Sequence, residues 1–502
     1  MKKVFCATYE GIDAKVVTVE STLTKGLPSF TIVGMASTAI SEAKERSKSA
    51  LLSNDFSFPP KRITINLAPS DVKKEGSQFD LSIALLIALD YLKDDLSEWF
   101  VFGELGLDGT VKENLQLYPL ILSLANQKVI KKAVVPYSAL KKLSKIPDVE
   151  FYGVKTLQES IELLKNQETA TPSIESASIN YPFYEIENQK YYYIKEYESD
   201  FGDVKGQEVA KRAALISATG FHNILFEGSP GCGKSMIAKR LRYILPPMSS
   251  DEILDVAKLQ ALDLQEPTFK PYREMRSPHH SSTLASIFGG GSHKAQIGEV
   301  GLAHRGILFF DELPHFSKNV LEALREPMED NKIRISRVNS KVEYPADFLF
   351  IGAMNPCPCG NLLNKNKECR CSDLEIKRYK NRLSDPFLDR IDLSVTMQSV
   401  NIDDRTSYSS KDLHKMVVQA NSFAKKRGQN LFNAKLNDSD IDKFCILNDE
   451  AKTILDMAIG RFDLSFRSIK KVQKVARTIA DLDFLEIIEK KHILEALSYR
   501  RR

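Results

Sequence analysis

The spacing of hydrophobic residues divides the chain into segments of different character. From residue 1 to about 165, β-branched runs such as 15–20 and 29–33 alternate with amphipathic stretches such as 39–52 and 81–92. Runs with a period of two predict strands, and an apolar stripe every three to four residues predicts a helix. We therefore predict an α/β domain over residues 1–165.

The rest of the chain shows three further patterns. Residues 166–200 lack a clear period and are rich in Glu, Ser, Thr and then Tyr, so we predict a linker there. Over 201–400, apolar strand candidates separated by helical stretches indicate a parallel sheet with crossover helices. Residues 401–502 are helical in pattern and more basic than acidic, which predicts an all-α domain. The fold class predicted for the whole chain is α/β.

Composition narrows the possible classes of protein. The chain has 502 residues, of which 43% are hydrophobic and 27% are charged, and this excludes a disordered tail or a collagen. A formal net charge of +4 is small for this length, so composition alone gives no evidence for a nucleic-acid partner. Evidence for any partner has to come from local features of the sequence.

Cysteine content and hydropathy bear on the location of the protein. Seven cysteines are an odd and sparse number, which argues against a secreted disulfide framework. The first residues lack the continuous apolar core of a signal peptide. The longest apolar run, Ile83–Leu89, is far shorter than the roughly 18 to 20 residues that span a bilayer. We expect a cytoplasmic protein with no membrane partner.

Residues 228–235 form a complete G-x-x-x-x-G-K-[ST] loop after a predicted strand and before a predicted helix. In this context backbone N–H groups and a helix N-terminus surround phosphate oxygens. Lys234 is expected to bridge the β- and γ-phosphates of ATP, and Ser235 to ligate Mg²⁺. A chance glycine turn is the alternative. The predicted nucleotide-binding residues of the loop are Gly228, Ser229, Pro230, Gly231, Cys232, Gly233, Lys234 and Ser235.

Two acids directly follow the apolar run 307–310, and a third strand ends in a polar amide. Acids at the carboxyl end of a buried parallel strand lie where open α/β sheets bind ligands. Asp311 is expected to hold Mg²⁺ through water, and Glu312 to polarise the attacking water. Asn355 ends the third strand and is placed to orient that water. A solvated acidic edge and a turn-forming asparagine are the alternatives.

Four of the seven cysteines lie close together in the sequence. Cys357, Cys359, Cys369 and Cys371 form two C-x-C pairs around a polar loop rich in Asn and Lys. Four thiolates on two tight turns are able to close a tetrahedral Zn²⁺ site, and the loop between them otherwise lacks a core. Free buried thiols and disulfide bonds are the alternatives.

Beside the loop and the acidic strand end, several short motifs mark the chain. They are Gly202–Gln207 (GDVKGQ), Ser277–His280 (SPHH), Gly301–Gly306 (GLAHRG), Leu324–Pro327 (LREP), Ile335–Arg337 (ISR), Ala353–Gly360 (AMNPCPCG) and Ala476–Leu482 (ARTIADL). Together they resemble the magnesium-chelatase-like AAA+ ATPases of the ComM and YifB type over nearly the full length. The resemblance implies an AAA+ P-loop core with a helical lid.

The resemblance also assigns roles to three residues. Asn355 matches the sensor asparagine, Arg390 the finger that reaches the γ-phosphate of a neighbouring subunit, and Arg467 the arginine of the helical lid. By spacing alone, an ordinary surface arginine is the favoured interpretation of each residue. A finger supplied by a neighbour fits the chemistry, because Arg390 follows the chain out of the sheet and away from its own loop.

The family resemblance implies an assembly and a substrate. The expected assembly is a homo-hexameric ring with ATP at the subunit interfaces. The expected function is that of a helicase or translocase on single-stranded or branched DNA, which promotes branch migration when imported DNA recombines during natural transformation. The alternative is an ATPase that remodels a protein partner or inserts a metal, as a magnesium chelatase does.

Two segments of the core are candidates for contact with DNA. Residues 332–344 alternate in character around an Asn339-Ser340 turn, which predicts a hairpin. Lys332, Arg334 and Lys341 would present positive charge to a phosphate backbone, although a solvated hairpin edge is the alternative. The second segment, 277–299, has the glycines of a mobile loop and carries Lys294.

The N-terminal segment resembles the proteolytic domain of Lon proteases, notably at 68–80 and 103–111. A Ser-Lys protease needs a nucleophilic hydroxyl and a lysine that deprotonates it. In this alignment Gln78 takes the place of the serine, and the lysine position falls near Tyr118. We therefore predict a Lon-like but non-proteolytic domain, with a structural or DNA-guiding role.

Overall fold

The structure is a computed structural model and describes residues 2–35, 38–56, 58–90, 95–173, 179–290, 296–336, 341–364, 367–398, 407–462 and 464–500. The chain divides into two compact units. The first comprises Met1–Asn180, Leu254–Phe269 and Ser336–Val342, and the second comprises Tyr181–Ile253, Lys270–Ile335 and Glu343–Arg502.

The N-terminal part of the chain alternates strands and helices. Its elements are β1 (Lys2–Glu10), β2 (Asp13–Thr24), β3 (Ser29–Val33), α1 (Thr38–Ser53), β4 (Arg62–Ala68), α2 (Asp80–Ala88), β5 (Trp99–Val101), β6 (Glu104–Leu105), β7 (Val111–Lys112), α3 (Leu117–Asn126), β8 (Lys132–Pro136), α4 (Leu140–Leu143), β9 (Glu150–Val154) and α5 (Leu157–Lys165).

The first unit is organised around a seven-stranded sheet in the order β3-β4-β2-β1-β5-β8-β9. Strands β1, β2 and β4 pair antiparallel, whereas β5, β8 and β9 extend the sheet in parallel. Every residue of α2 is buried, as its nearly continuous apolar sequence predicts for a helix enclosed on all sides. The unit therefore has a large hydrophobic core of its own.

The next part of the chain runs from a hairpin to the last strand. Its elements are β10 (Phe183–Ile186), β11 (Gln189–Tyr192), α6 (Glu208–Gly220), β12 (Ile224–Gly228), α7 (Lys234–Leu241), β13 (Met248–Ser249), α8 (Ser250–Leu262), β14 (Met275–Arg276), α9 (Leu284–Phe288), β15 (Gly289–Gly290), β16 (Gln296–Ile297), α10 (Glu299–Leu302), β17 (Ile307–Phe310), α11 (Lys318–Ala323), α12 (Arg325–Asp330), β18 (Lys332–Ser336), β19 (Lys341–Pro345), β20 (Leu349–Met354), α13 (Asp373–Lys380), α14 (Asp385–Leu388) and β21 (Leu393–Met397). The chain ends in helices α15 (Ser410–Lys426), α16 (Asp438–Phe444), α17 (Asp449–Phe462), α18 (Phe466–Leu482) and α19 (Lys490–Ser498).

The second unit contains a parallel five-stranded sheet in the order β14-β17-β20-β12-β21. Alternate residues of a strand enter different cores: Phe309 and Ile351 pack on one face, and Phe310 and Phe350 on the other. Because both faces are covered, these strands are apolar at every position, as the sequence suggested. The carboxyl ends of β12, β17 and β20 meet at one edge of the sheet.

Two strands lie inside the predicted linker 166–200. β10 and β11 form a hairpin, and β11 also pairs with β13. The two residues between them, Glu187 and Asn188, have φ angles of 49° and 63°. This is the left-handed pair of a type I′ turn, which matches the twist of a two-residue hairpin. The sequence pattern did not reveal this hairpin, because Glu-Asn is a weaker turn signal than Asn-Gly.

The structure confirms the predicted α/β class, the parallel-sheet core and the helical C-terminal region. Among the described residues, no helix is both long and apolar enough to cross a membrane. Some predicted features lie outside the described residues: the Asn339-Ser340 turn, Arg337, Gly291 and Lys294.

Candidate functional site

The G-x-x-x-x-G-K-S loop connects β12 to α7. Gly231 and Gly233 have φ angles of 81° and 96°, a region that side-chain-bearing residues rarely occupy. Gly233 is the N-cap of α7, so the helix begins at Lys234 and Ser235 lies in its first turn. The loop thus has the strand–turn–helix form that phosphate-binding loops require.

Lys234 and Ser235 join the loop to the carboxyl ends of β20 and β17. The ammonium of Lys234 donates hydrogen bonds to the carbonyls of Gly228 (2.6 Å) and Ser229 (3.1 Å) and to Oδ1 of Asn355 (3.1 Å). Burial lowers the pKa of Lys234. The Ser235 hydroxyl donates to Oδ2 of Asp311 at 2.7 Å. Four of the sequence-predicted residues, Lys234, Ser235, Asp311 and Asn355, therefore form one connected group.

Glu312 lies beside this group with an unusual backbone. Its φ angle of 51° is left-handed, and its N–H donates to Oδ1 of Asp311 at 2.9 Å. The carboxylate is more than half exposed, and its Oε2 lies 3.8 Å from Nδ1 of His280. A non-glycine residue in this conformation is a local strain of the kind that active sites retain. The sequence predicted the carboxylate but not its histidine neighbour.

Arg390 and Arg467 converge on one carboxylate. Nη2 of Arg390 lies 2.5 Å from Glu329, and Nη2 of Arg467 lies 3.2 Å from the other oxygen of the same group. Arg390 also donates to the carbonyl of Arg325, the first residue of α12. Partial burial raises the pKa of Glu329, but the charges of Arg467 and Arg390 outweigh it and leave the pKa below its ordinary value. Both arginines thus bind α12 of their own chain.

The four clustered cysteines come together in space. Their Sγ atoms all lie within 4.8 Å of one another. Three of the separations are 3.4 Å (Cys357 to Cys359), 3.6 Å (Cys357 to Cys369) and 3.6 Å (Cys359 to Cys369). Backbone N–H groups of Asn361 and Arg370 lower the pKa of Cys359 to about 6. The two C-x-C pairs therefore form a single four-sulfur cluster.

The predicted basic hairpin forms, but its charges are paired. β18 and β19 make a two-stranded sheet, with Ile333 buried and Lys332 and Arg334 exposed. Lys332 Nζ and Arg334 Nε lie 2.6 and 3.0 Å from the carboxylate of Glu343. Lys341 belongs to β19, and its side chain lies outside the described residues. The described charges of the hairpin thus sum to one positive charge rather than two.

In the first unit, Gln78 and Tyr118 stand at the positions where a Ser-Lys protease has its serine and lysine. The Gln78 side chain is buried, and its amide donates to the carbonyls of Ala7 (3.1 Å) and Glu75 (2.9 Å). Burial raises the pKa of Tyr118, whose side chain is in the core. The neighbouring Ser77 donates to Glu104. Gln78 thus serves to satisfy backbone groups, and a non-proteolytic domain stays the prediction.

Comparisons with known proteins cover nearly the whole chain. Sequence profiles described as "Magnesium chelatase, subunit ChlI", "Subunit ChlI of Mg-chelatase" and "Magnesium chelatase, subunit ChlI C-terminal" match residues 200–405, 19–139 and 407–500. Competence protein ComM of Haemophilus influenzae is 38% identical over 504 residues, which cover 98% of this chain and 95% of that protein. The chain belongs to the ComM and YifB family of magnesium-chelatase-like AAA+ proteins.

Two further relatives indicate how far the family extends. The uncharacterized protein YifB of Escherichia coli is 37% identical over 502 residues, covering 98% of this chain and 95% of that protein. A magnesium-chelatase 67 kDa subunit of Heliobacterium mobile is 24% identical over 185 residues, which are 30% of this chain and 27% of that subunit. The full-length similarity is thus to the ComM and YifB proteins rather than to that chelatase subunit.

Magnesium-chelatase-like AAA+ proteins bind ATP and Mg²⁺, and the phosphate loop of this chain fits both ligands. Ser229 supplies an observation of its own: its hydroxyl is buried and has no hydrogen-bond partner among the described residues. A buried orphan hydroxyl is costly unless a ligand or water satisfies it. The loop thus offers Ser229 and Lys234 to phosphate oxygens, and the oxygens of Ser235 and Asp311 to a hard cation.

One contact of the family motif GDVKGQ escaped sequence reasoning. Nε2 of Gln207 donates to the carbonyls of Cys232 (3.0 Å) and Gln398 (2.6 Å), so the residue ties the phosphate loop to the end of β21. Gln207 itself has a left-handed φ of 58°. Both partner carbonyls are distant from Gln207 in the sequence. The sequence therefore showed only that Gln207 belongs to a family motif, and not what it contacts.

Proposed function

We propose that this protein is an ATP-driven motor that acts on single-stranded or branched DNA as a homo-hexameric ring and promotes branch migration of imported DNA. The observation that carries the ATPase part is the connected group of Lys234, Ser235, Asp311 and Asn355 at the sheet edge. The DNA part draws on full-length similarity to a relative named as a competence protein. Natural transformation is the proposed setting.

Each residue of the group has a distinct part in ATP hydrolysis. Lys234 exchanges its bonds to Gly228 and Ser229 for bonds to the β- and γ-phosphates, so the phosphates replace carbonyls as partners of the ammonium. Ser235 and Asp311 would hold Mg²⁺, which would supply positive charge to the phosphate oxygens during transfer of the γ-phosphoryl group to water. Glu312 accepts a proton from the attacking water, and Asn355 orients that water. The exposed carboxylate of Glu312 is accessible for this role.

The two arginines support catalysis between subunits. Arg390 and Arg467 both bind Glu329 on α12, so the three charges sum to one positive charge, with the Arg467 side chain 42% exposed and that of Arg390 11%. A cation aimed at developing phosphate charge is worth several orders of magnitude in rate. We assign both to the γ-phosphate of a neighbouring subunit, and this assignment leads to the hexameric ring.

The β18–β19 hairpin is the proposed contact with DNA. Lys332 and Arg334 are exposed on it, and Lys341 is proposed as a third contact. One net charge from the described residues of a single hairpin is weak, but a ring places several copies around one channel. The pairing of both cations with Glu343 is the observation that favours the second candidate, an ATPase that remodels a protein partner or inserts a metal.

We also propose Zn²⁺ as the occupant of the four-cysteine cluster. Four soft thiolate donors in a closed set suit zinc better than magnesium or calcium, which prefer oxygen. Mg²⁺ and Zn²⁺ thus bind at different sites of the second unit.

A three-stranded junction with one labelled strand tests the proposed function. With ATP and Mg²⁺, the wild-type protein is expected to extend the heteroduplex, whereas Glu312→Gln is expected to bind the junction and leave it unchanged. Junction processing without ATP, or none at all with active ATPase, would contradict the DNA part of the proposal.

The salt dependence of DNA binding tests the hairpin with a matched pair of variants. Replacing Lys332 and Arg334 together by Ala removes two phosphate contacts and is expected to reduce the log–log salt slope for single strands by about 1.4. Glu343→Gln frees both cations and is expected to tighten binding. If both variants bind DNA like the wild type, the hairpin is not the contact.

A further inference from the structure

The four-cysteine cluster lies in the chain between the sensor asparagine and helix α13. Cys357 comes two residues after Asn355, and Cys371 comes two residues before α13 begins at Asp373. We use the name cysteine clamp for the two described stretches 357–360 and 369–380. Any force that closes the sulfur cluster therefore acts on both the end of β20 and the start of α13.

The first stretch of the clamp packs on the phosphate loop. Gly360 has a left-handed φ of 77°, and its N–H donates to the carbonyl of Cys357 at 3.0 Å. A Cβ atom on Gly360 would lie 2.6 Å from Cδ of Pro230, which is too close for real atoms. Gly360 therefore allows the knuckle of Cys357 and Cys359 to approach the loop closely.

The second stretch reaches the other side of the site. Lys380 at the end of α13 pairs with Glu227 of β12, with Nζ 3.1 Å from Oε1. The Tyr379 ring lies 6.2 Å from that of His315, which follows Glu312 by three residues. The clamp thus touches the strand before the phosphate loop and the segment after the catalytic acids.

Side-chain packing alone does not explain how the cluster stays closed. Leu362 and Leu363, between the two cysteine pairs, are 40% and 36% exposed, so little apolar surface is buried there. Tetrahedral Zn²⁺ with bonds of about 2.3 Å places sulfurs about 3.8 Å apart. The observed separations of 3.4 to 3.6 Å are close to this value and far longer than the roughly 2.05 Å of a disulfide bond.

We infer that Zn²⁺ bound by Cys357, Cys359, Cys369 and Cys371 closes the cysteine clamp and thereby holds Asn355 against Lys234. The two side chains are 3.1 Å apart, and the metal fixes the backbone two residues beyond Asn355. The cysteines are positioning residues, because they act through Asn355 and Pro230 rather than on ATP. The consequence for hydrolysis rests on the proposed ATPase function, whereas the metal site does not.

Matched alanine variants of the full-length protein test the inference. Cys371→Ala removes one ligand, and Cys445→Ala is the control, because Cys445 is a free buried thiol outside the cluster. We expect about one zinc per chain in the wild type and the control, and little in Cys371→Ala. Single-turnover hydrolysis is expected to fall about 10- to 100-fold in Cys371→Ala only. Affinity for a fluorescent ATP analogue is expected to change less than about threefold, because Lys234 remains.

A second variant keeps the test decisive if Cys371→Ala does not fold. Tyr379→Phe leaves all four thiols in place and removes only the hydroxyl, which faces the backbone N–H of Asn355. It is expected to keep its zinc and its affinity for the ATP analogue but to hydrolyse ATP more slowly. A slower Tyr379→Phe with full zinc supports the clamp.

Three outcomes are distinguishable. A zinc-free wild type with four additional titratable thiols overturns the metal site. Loss of zinc from Cys371→Ala with unchanged hydrolysis overturns the positioning role, as does wild-type turnover in Tyr379→Phe. A wild type that binds zinc but never hydrolyses ATP contradicts the proposed function and leaves the metal site supported.

Discussion

At the scale of single residues, the site is defined by which polar atoms have partners and which do not. Lys234 has three oxygen partners within its own chain, whereas the Ser229 hydroxyl has none among the described residues. Phosphate oxygens would satisfy both, because they accept from the ammonium and the hydroxyl together. The nucleotide is thus expected to compete with the protein's own carbonyls for Lys234.

Substitution of Lys234 and of Glu312 is expected to separate binding from chemistry. Lys234→Ala removes a charged hydrogen-bond donor and should weaken ATP-analogue binding by about 10- to 100-fold. Glu312→Gln keeps size and loses only the proton acceptor, so binding should persist while turnover falls by about 100-fold or more. Equilibrium titration and steady-state ATPase assays measure the two effects. Equal loss of binding in both variants would contradict the assigned roles.

Among the helices, α18 carries a sequence motif whose structural role is visible only in the folded chain. Within ARTIADL, Arg477 and Asp481 are fully buried and pair at 3.1 Å, and Asp481 also binds Arg427 and Asn433. The guanidinium of Arg477 also donates to the carbonyls of Leu485 and Glu486, which follow the helix. The motif therefore forms a buried polar network that holds α18 to the segments packed against it. This structural role explains the motif without any contact to phosphate.

Arg477→Ala is expected to destabilise the helical region strongly. It leaves buried carbonyls unsatisfied and removes a partner of Asp481, a change that typically costs about 3–5 kcal/mol. Urea unfolding followed by far-ultraviolet circular dichroism measures the loss. The variant Lys470→Ala serves as control, because Lys470 pairs with the exposed carboxylate of Asp438, where solvent screens the ion pair and leaves it a small contribution. Similar stabilities for the two variants would show that the network is not structural.

The parts of this site that lie in short contiguous stretches could be predicted from the sequence. The phosphate loop, Asp311 and Asn355 each sit at the end of an apolar strand, so pattern and parallel-sheet topology bring them together. The contacts of Glu329, Gln207 and Tyr379 could not be predicted, because their partners are far away in sequence and their residue types are common on surfaces. The β10–β11 hairpin could not be predicted either, because its strands are short and the turn that joins them has a weak sequence signal.

At the scale of the whole molecule, the arginines suggest that the complete site belongs to an assembly. The partners of Arg390 and Arg467 lie on α12, at Glu329 and Arg325. In the proposed ring, the loop of one chain and the arginines of its neighbour would together form the complete site. The formal charge of one chain, +4, says little about the proposed ring, which would gather several hairpins around one channel.

Mixing two inactive variants tests whether Arg390 acts on a neighbour. Arg390→Ala retains an intact phosphate loop, and Lys234→Ala retains an intact finger, so some interfaces of a mixed ring combine both working parts. We expect each variant alone to be inactive and an equimolar mixture to regain part of the wild-type ATPase rate. A mixture that stays inactive, while native mass spectrometry detects mixed rings, would place the arginine's action elsewhere.

Two buried histidines predict acid sensitivity of the second unit. Burial lowers the pKa of His304 to about 3 and that of His414 to about 4. Below pH 6.5 these histidines bind protons in the unfolded chain but stay neutral in the folded chain. The free energy of unfolding therefore falls as the pH decreases through this range. Each histidine is expected to cost about 2 kcal/mol between pH 7 and pH 5. Urea midpoints at both pH values measure this, and His304→Gln, which cannot titrate, should lose less.

We propose that ATP turnover at the Lys234 site drives action on DNA, and an ATPase assay with and without single-stranded DNA is the decisive test. We expect turnover by the wild-type protein to rise severalfold on addition of DNA, with the stimulation declining as salt weakens phosphate contacts. Lys234→Ala should show no turnover in either condition. Wild-type turnover that is indifferent to DNA at low salt would contradict the account and favour a protein partner.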